Sequence, residues 1–421
     1  MSLAQLLGSR FVLLFFACPA FASKLRSGSH SASKTVEELG VLWEHCATEG
    51  SECSCSGLLR FGEGDRWVAQ GVAGSVTCDV QTFSGDPAFN RRKECWCAVT
   101  GQRPQSARAA IVTLSRHPPD LKNWLRYHLR HAGVDHIFVK SEDSPETAKT
   151  IRQLSAEEQA KVTHWESNMA SLLGVSADSR PPDDYTDLQA RQVAMMAKAK
   201  QACDEMGIDW LIHIDDDEIL YMPQQRKIGD LLAAVPSAFI QAYLPNVEAV
   251  YNSPEVKSCF MQTDKVNMNR YTFQSYANGK SAVRVAPKKQ VRPAGPHLWR
   301  DMFNQELPSV HMDQEPFGPP IMVLHYESCP FSRWQDKFWE LGNTSPEKLS
   351  QIPFPFYRKS INKMQTCRSS EGKDQQAISL LGCDQASLMQ LWSEWKTPAN
   401  PALKLEDLMS IRIPWESILS G

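Results

Sequence analysis

The sequence predicts an α/β protein: an open, mostly parallel sheet with helices on both faces, preceded by a small disulfide-rich module. Three observations carry that reading. A strand, an amphipathic helix and a second strand follow one another from Ala109 to Val139, and such a βαβ unit requires parallel strands. A long amphipathic segment ending at Gly207 leads directly into the apolar run Trp210-Leu211-Ile212-His213-Ile214. Six cysteines are crowded between Cys46 and Cys97.

At 421 residues the chain exceeds one average domain, and 42% hydrophobic content with near-balanced charge fits a globular protein with a large core. A net charge of -3, a pI near 6.4 and scattered Lys and Arg leave no footprint for nucleic acid. The chain reads as a signal segment at 1–22, a linker at 23–40, a Cys-rich module at 41–100, an α/β domain at 105–395 and a tail at 396–421.

The first residues have secretory character: Arg10, the apolar run from Phe11 to Phe16, then Ala20-Phe21-Ala22 as a small-x-small cleavage site. The apolar stretch is shorter than the ~20 residues that span a bilayer. The protein therefore contacts a membrane only if this segment stays uncleaved. Such a route leads through the secretory pathway to the Golgi lumen or outside the cell. There the cysteines remaining after cleavage pair as disulfides. The sequon Asn343-Thr344-Ser345 is consistent with that route.

Cys46, Cys53, Cys55, Cys78, Cys95 and Cys97 lie among turn residues with few periodic apolar positions, so bridges compensate for a thin core. Their pairing is open at this stage, and two Cys-x-Cys pairs leave zinc as an alternative. Cys367 and Cys383 are expected to pair, leaving Cys203, Cys259 and Cys329 as an odd set.

The α/β pattern begins with a strand at Ala109 to Leu114. Pro118 and Pro119 open a helix whose Leu121, Trp124, Leu125, His128, Leu129 and Ala132 share one face, and Gly133 stops it. Val134 to Val139 is the second strand. Pro181 to Tyr185 reads as a loop, with Asp187 capping a helix that carries Leu188, Met195, Ala199, Cys203 and Met206 on one stripe. Further strands are expected at Ala238 to Leu244, Lys280 to Val285 and Ile321 to His325, and a helix at Phe331 to Leu341. Trp415 and Ile418 of the tail are placed to pack back on the body.

Chemistry concentrates in Asp215-Asp216-Asp217-Glu218, at the carboxyl end of a later strand, where open α/β sheets bind ligands. Adjacent carboxylates repel and raise one another's pKa, so a cation or cationic partner is needed to neutralise them. If the run is extended, Asp215 and Asp217 share a face at a spacing that suits one divalent cation. Mn2+ or Mg2+ takes oxygen ligands and leaves positions for phosphates, as a nucleotide-sugar site requires. His297, in Gly295-Pro296-His297, and His325, before Tyr326, are candidates for a third ligand, with His297 ahead, because neutral imidazole suits Mn2+. His213 is expected to point into the sheet packing.

These residues resemble glycosyltransferases of the GT-A fold, a Rossmann-like open sheet, and most closely glycosyltransferase family 92 and its relatives. The resemblance spans about Ala109 to Phe338 and rests on ordered blocks. They are Ala110-Ile111-Val112-Thr113 with Trp124-Leu125-Arg126-Tyr127-His128 and Gly133-Val134-Asp135-His136; Trp210 to Leu220; Gly279-Lys280-Ser281-Ala282-Val283-Arg284; and His325-Tyr326. It implies that Asp215 and Asp217 are the DxD pair that holds metal and sugar-nucleotide diphosphate, followed by Glu218. Arg116 and Asp143 fall where the fold receives the nucleoside, and Lys280 and Arg284 where phosphate or acceptor binds.

The implied activity is transfer of a sugar from a UDP- or GDP-sugar donor to a hydroxyl of a glycan or glycoprotein acceptor, with inversion. An inverting enzyme needs a carboxylate base. Glu248 is the first candidate and Glu218 a second catalytic carboxylate; Asp313 and Glu315 are alternatives. Two rivals remain: a haloacid-dehalogenase-type phosphatase with Asp215 as nucleophile and Asp217 as acid/base, and a secreted carbohydrate-binding protein whose transferase domain is degenerate.

Overall fold

The computed structural model describes residues 42–64, 66–83, 85–99, 106–118, 120–167, 185–221, 226–235, 239–256, 258–285, 290–312 and 321–420. The expected signal segment and linker, and Asp313 and Glu315, lie outside them.

Four strands, β1 (Leu42–Thr48), β2 (Glu52–Glu63), β3 (Arg66–Thr77) and β4 (Glu94–Val99), form an antiparallel sheet ordered β1-β4-β2-β3. Its core is small: Leu59, Phe61 and Phe83 around the cystines. Disulfides join Cys46 to Cys53, Cys55 to Cys97 and Cys78 to Cys95, so all six cysteines are consumed and the zinc alternative falls. Elsewhere Cys259 pairs with Cys329 and Cys367 with Cys383, leaving Cys203 as a buried thiol.

The body is built on β5 (Ala109–Ser115), β6 (His136–Glu142), β7 (Val162–Ser167), β8 (Trp210–His213), β9 (Glu218–Tyr221), β10 (Gln241–Leu244), β11 (Asn246–Ala249), β12 (Lys265–Asn267), β13 (Lys280–Arg284), β14 (Val291–Pro293), β15 (Trp299–Asp301), β16 (Ser309–His311), β17 (Met322–His325) and β18 (Leu408–Ser410). The main sheet runs β16-β10-β13-β8-β5-β6-β7, with β13 antiparallel to both of its neighbours and the other pairings parallel. A second sheet, β18-β12-β11-β17-β9, stands beside it, and β14 pairs with β15 in a hairpin.

Every residue of β5 is buried, as a strand covered on both faces must be. Ala109 and Ile111 face the larger core, whereas Ala110, Val112 and Leu114 face the helix Tyr185–Met206 through its Met195, Met196, Ala199 and Cys203. That helix already includes Asp187, which therefore does not cap it. The expected helix after β5 runs Leu121–Arg126, widens into a π-turn at Tyr127–Ala132, and stops at Gly133, whose φ of 73° is left-handed. The helix Phe331–Leu341 has the expected bounds. The tail is integral to the fold: β18 pairs with β12, and Trp415 and Ile418 are buried.

Candidate functional site

From β5 the chain moves outward through β6 and β7, then returns to β8 on the other side of β5. This reversal of strand order opens a crevice at the carboxyl ends of β5 and β8. A cavity of about 750 Å³ lies there, with Arg116, Glu142, Arg191, the three aspartates, His297, His325, Glu327, Arg333, Asp336 and Lys337 among its walls.

The acidic run is not one extended segment. β8 ends at His213 and β9 begins at Glu218; between them the chain turns, closed by Glu218 N–H donating to the Asp215 carbonyl at 3.1 Å. Alternation is lost, and each acid meets different partners. Asp215 accepts from Lys280 Nζ at 2.6 Å and from Gln192 Nε2 at 2.9 Å. Asp216 accepts from Ser115 Oγ at 2.9 Å and from Arg333 at 2.8 Å. Asp217 lies 3.8 Å from His325 Nε2, and its carboxylate has no hydrogen-bond donor among the described residues.

Electrostatics separates them further. Burial opposes the Asp215 charge, but Lys280 and His213 override it and hold its carboxyl below the usual range. Burial pushes Asp217 up to about 6, with nearby Glu327 adding to the effect, and raises Asp216 to about 6 despite Arg333. Glu218 accepts from the Asp215 amide at 2.7 Å and lies 3.2 Å from Lys280. Lys280 serves Asp215 first, and burial leaves Glu218 well above its ordinary value.

Asp217, His325 and Glu327 form the described group able to hold a metal: one ligand atom from each lies within 4.8 Å of the others. Burial lowers His325 to about 4, so its imidazole is neutral and a competent ligand, and its Nδ1 is buried without a partner. Two carboxylates and an imidazole suit Mn2+. The structure thus groups Asp217 with His325 rather than with Asp215. His297 also lines the cavity, but its Nδ1 is engaged by the Gly279 carbonyl at 2.7 Å, and its ring and that of His325 lie 4.9 and 4.8 Å from Tyr276.

Other expected residues divide cleanly. Arg116 lines the cavity and pairs with Glu340 at 3.0 Å. Asp143 is not in the wall; its neighbour Glu142 is, held through both oxygens by Arg191 at 3.0 Å. Lys280 is fully buried behind the cavity as counter-ion to Asp215, not presented to a ligand. Arg284 pairs in register with Trp210, the first residue of β8, so antiparallel β13 carries it to the far edge of the sheet. There its guanidinium meets the Val235 and Phe239 carbonyls. Glu248 lies outside the cavity, with its oxygens accepting the Gln274 and Ser275 amides at 2.7 and 2.6 Å. His213 is buried, its Nδ1 on the Pro296 carbonyl at 2.8 Å. Glu327, Arg333 and Lys337 were not expected from sequence. The spacing His325-x-Glu327 at a strand end was the signal for the first, and Arg333 and Lys337 stand one helical turn apart.

No family model matches the chain. It is similar to two curated glycosyltransferase-like proteins of Arabidopsis thaliana. One is 24% identical over 245 residues, covering 50% of this chain and 51% of the relative; the other is 22% identical over 245 residues, covering 50% and 45%. The chain thus spans about half the length of the curated relatives it matches. These similarities support a glycosyltransferase family in general and do not single out family 92. Among solved structures, a CMP:2-keto-3-deoxy-manno-octonic acid synthetase complexed with CTP shares 16% identity over 35% of this chain and 57% of its own, with a TM-score of 0.20. HddC from Yersinia pseudotuberculosis shares 9% over 54% and 99%, with a TM-score of 0.26. Neither superposition is close enough to carry an argument.

Proposed function

We propose that this chain is a metal-dependent glycosyltransferase of the GT-A type, moving a sugar from a nucleotide-sugar to a hydroxyl of a glycan or glycoprotein, with inversion. One observation carries the reading: Asp217 keeps a carboxylate in the cavity without a donor, beside neutral His325 and Glu327. A divalent cation resolves that deficit, and the glycosyltransferase-like relatives support the same chemistry. When bound, Mn2+ or Mg2+ supplies Lewis-acid neutralisation of the departing diphosphate.

The protein's own residues do the rest. Arg333 and Lys337, on one helix face, meet phosphate charge. Arg116 and the Glu142–Arg191 pair wall the part of the cavity after β5 and β6, where the nucleoside is received. Asp336 also lines the cavity and has no hydrogen bond or ion pair among the described residues, which suits a base for the acceptor hydroxyl. The signal segment and the disulfides support folding in the secretory pathway, in the Golgi lumen or for secretion. Among the described residues no helix is long and apolar enough to cross a membrane.

Calorimetry with UDP and GDP, with and without Mn2+, tests the reading. The wild type is expected to bind one of them only with metal, and Asp217→Asn to lose at least about a hundredfold, since even outer-shell changes cost 10- to 100-fold. Metal-independent binding, or unchanged binding in Asp217→Asn, overturns it. Hydrolysis of a generic phosphate ester, lost in Asp215→Asn, would favour a phosphatase instead.

A further inference from the structure

Glu327 is saturated. A carboxylate offers about four lone-pair sites on its two oxygens, and here all are taken. Oε1 accepts from Ser328 Oγ at 2.5 Å and Lys337 Nζ at 2.9 Å; Oε2 accepts from Tyr357 Oη at 2.6 Å and Lys337 Nζ at 3.1 Å. Lys337 also donates to Tyr357 at 2.8 Å. His325 Nε2 stays 3.6 Å from Oε2, too far for a hydrogen bond. The Lys337 ammonium thus occupies the electrostatic place of a cation beside Asp217, His325 and Glu327, and Glu327 offers no lone pair to a metal until one donor leaves.

Of the three donors, one is free to move. Ser328 is the buried chain neighbour of Glu327. Tyr357 is fixed in the helix Pro355–Arg368 and packs on Phe338, with ring centroids 5.1 Å apart. Lys337 has a flexible four-carbon stem, lines the cavity, and retains 30% side-chain exposure.

We infer that Lys337 is an internal counter-ion that gates the cation site: it holds Glu327 until the diphosphate of an incoming ligand draws the ammonium away. This rests on the proposed reading of the cavity as a metal and nucleotide-sugar site. Arg333, one turn earlier on the same helix, also lines the cavity, so two cations receive the anion together. Anion and metal then promote each other's binding, because each removes the interaction that opposes the other. Lys337 acts here as a positioning residue.

The test is Mn2+ binding to the full chain, followed by calorimetry and by the EPR signal of free Mn2+, with and without UDP or GDP and referenced to the Mn2+–nucleotide complex in buffer. Lys337→Met keeps the stem and removes the charge. It is expected to bind Mn2+ alone at least about tenfold more tightly than wild type, the equivalent of one charge-assisted hydrogen bond. Its Mn2+ affinity should also gain less from nucleotide. Tyr357→Phe removes one donor to Glu327 and one acceptor of Lys337; it is expected to shift Mn2+ binding the same way by less, and serves if Lys337→Met does not fold. If wild type binds Mn2+ with nucleotide but neither variant binds Mn2+ alone more tightly, the gate is overturned and the site reading stands. If no form binds Mn2+ even with nucleotide, both fall.

Discussion

Asp217 illustrates how one side chain can carry both a stability cost and the role proposed for it in holding a cation. Its carboxyl, pushed to about 6 from an ordinary 3.8, keeps a proton in the folded state that the unfolded chain has already released. Between those values the folded state binds more protons at this group, so its contribution to metal-free stability rises as pH falls from 7 towards about 4. Asp216, also at about 6, contributes in the same direction. Asp215 and Glu327, held below their ordinary values of 3.8 and 4.5, lose their contribution as pH falls below those values. Buried neutral His128, His213, His297 and His325, lowered to about 3, 4, 3 and 4, pull the opposite way below about pH 6.5. The Asp217 contribution is therefore read as a difference: in EDTA the urea midpoint of wild type relative to Asp217→Asn should increase from pH 7 to 4.5. A pH-independent difference between the two proteins would contradict the burial of an uncompensated acid.

At the scale of elements, the strand-turn-strand from β8 to β9 is held from two sides. On one side Trp124 Nε1 donates to the Glu218 carbonyl, Tyr127 Oη donates to the Leu220 carbonyl at 2.6 Å, and His128 Nε2 accepts from the Leu220 amide at 3.2 Å. The Trp-Leu-Arg-Tyr-His block is thus a backbone clamp on β9. On the other side β13 delivers Lys280 between Asp215 and Glu218. Removing one partner of a buried ion pair leaves uncompensated charge, at a cost of about 3–5 kcal/mol. Lys280→Met should lose that much in denaturant unfolding, whereas Arg284→Met, at the far edge of the sheet, should leave nucleotide binding unchanged.

Across the whole molecule, the site is completed from distant sequence. β17 and the helix Phe331–Leu341 bring His325, Glu327, Arg333 and Lys337 to acids more than a hundred residues earlier. The disulfide from Cys259 to Cys329 closes a separation of 70 residues and ends two residues after Glu327. Loop entropy for such a length is worth about 4 kcal/mol, or roughly 10 °C of melting temperature. Cys259→Ala with Cys329→Ala should show that drop by calorimetric melting, and should also weaken Mn2+ binding because Glu327 loses its anchored loop. An unchanged melting temperature would mean that the bridge does not constrain the unfolded chain.

By itself the sequence determined the class of architecture, the strand end that bears the acids, and the Cys-rich module. These follow from hydrophobic period, glycine stops and cysteine density, which are local signals. It also marked Asp217 and His325 individually. Only the tertiary structure decided which acids act together. Alternation along a strand paired Asp215 with Asp217, but a turn separates them, and Lys280, arriving on an antiparallel strand, neutralises one while leaving the other without a donor. The same holds for Glu248, whose oxygens are consumed by backbone amides, and for Glu327 and Lys337, which meet only because β17 and the following helix fold over the crevice. Partner choice among charges depends on distance and burial, and neither is a property of residue order.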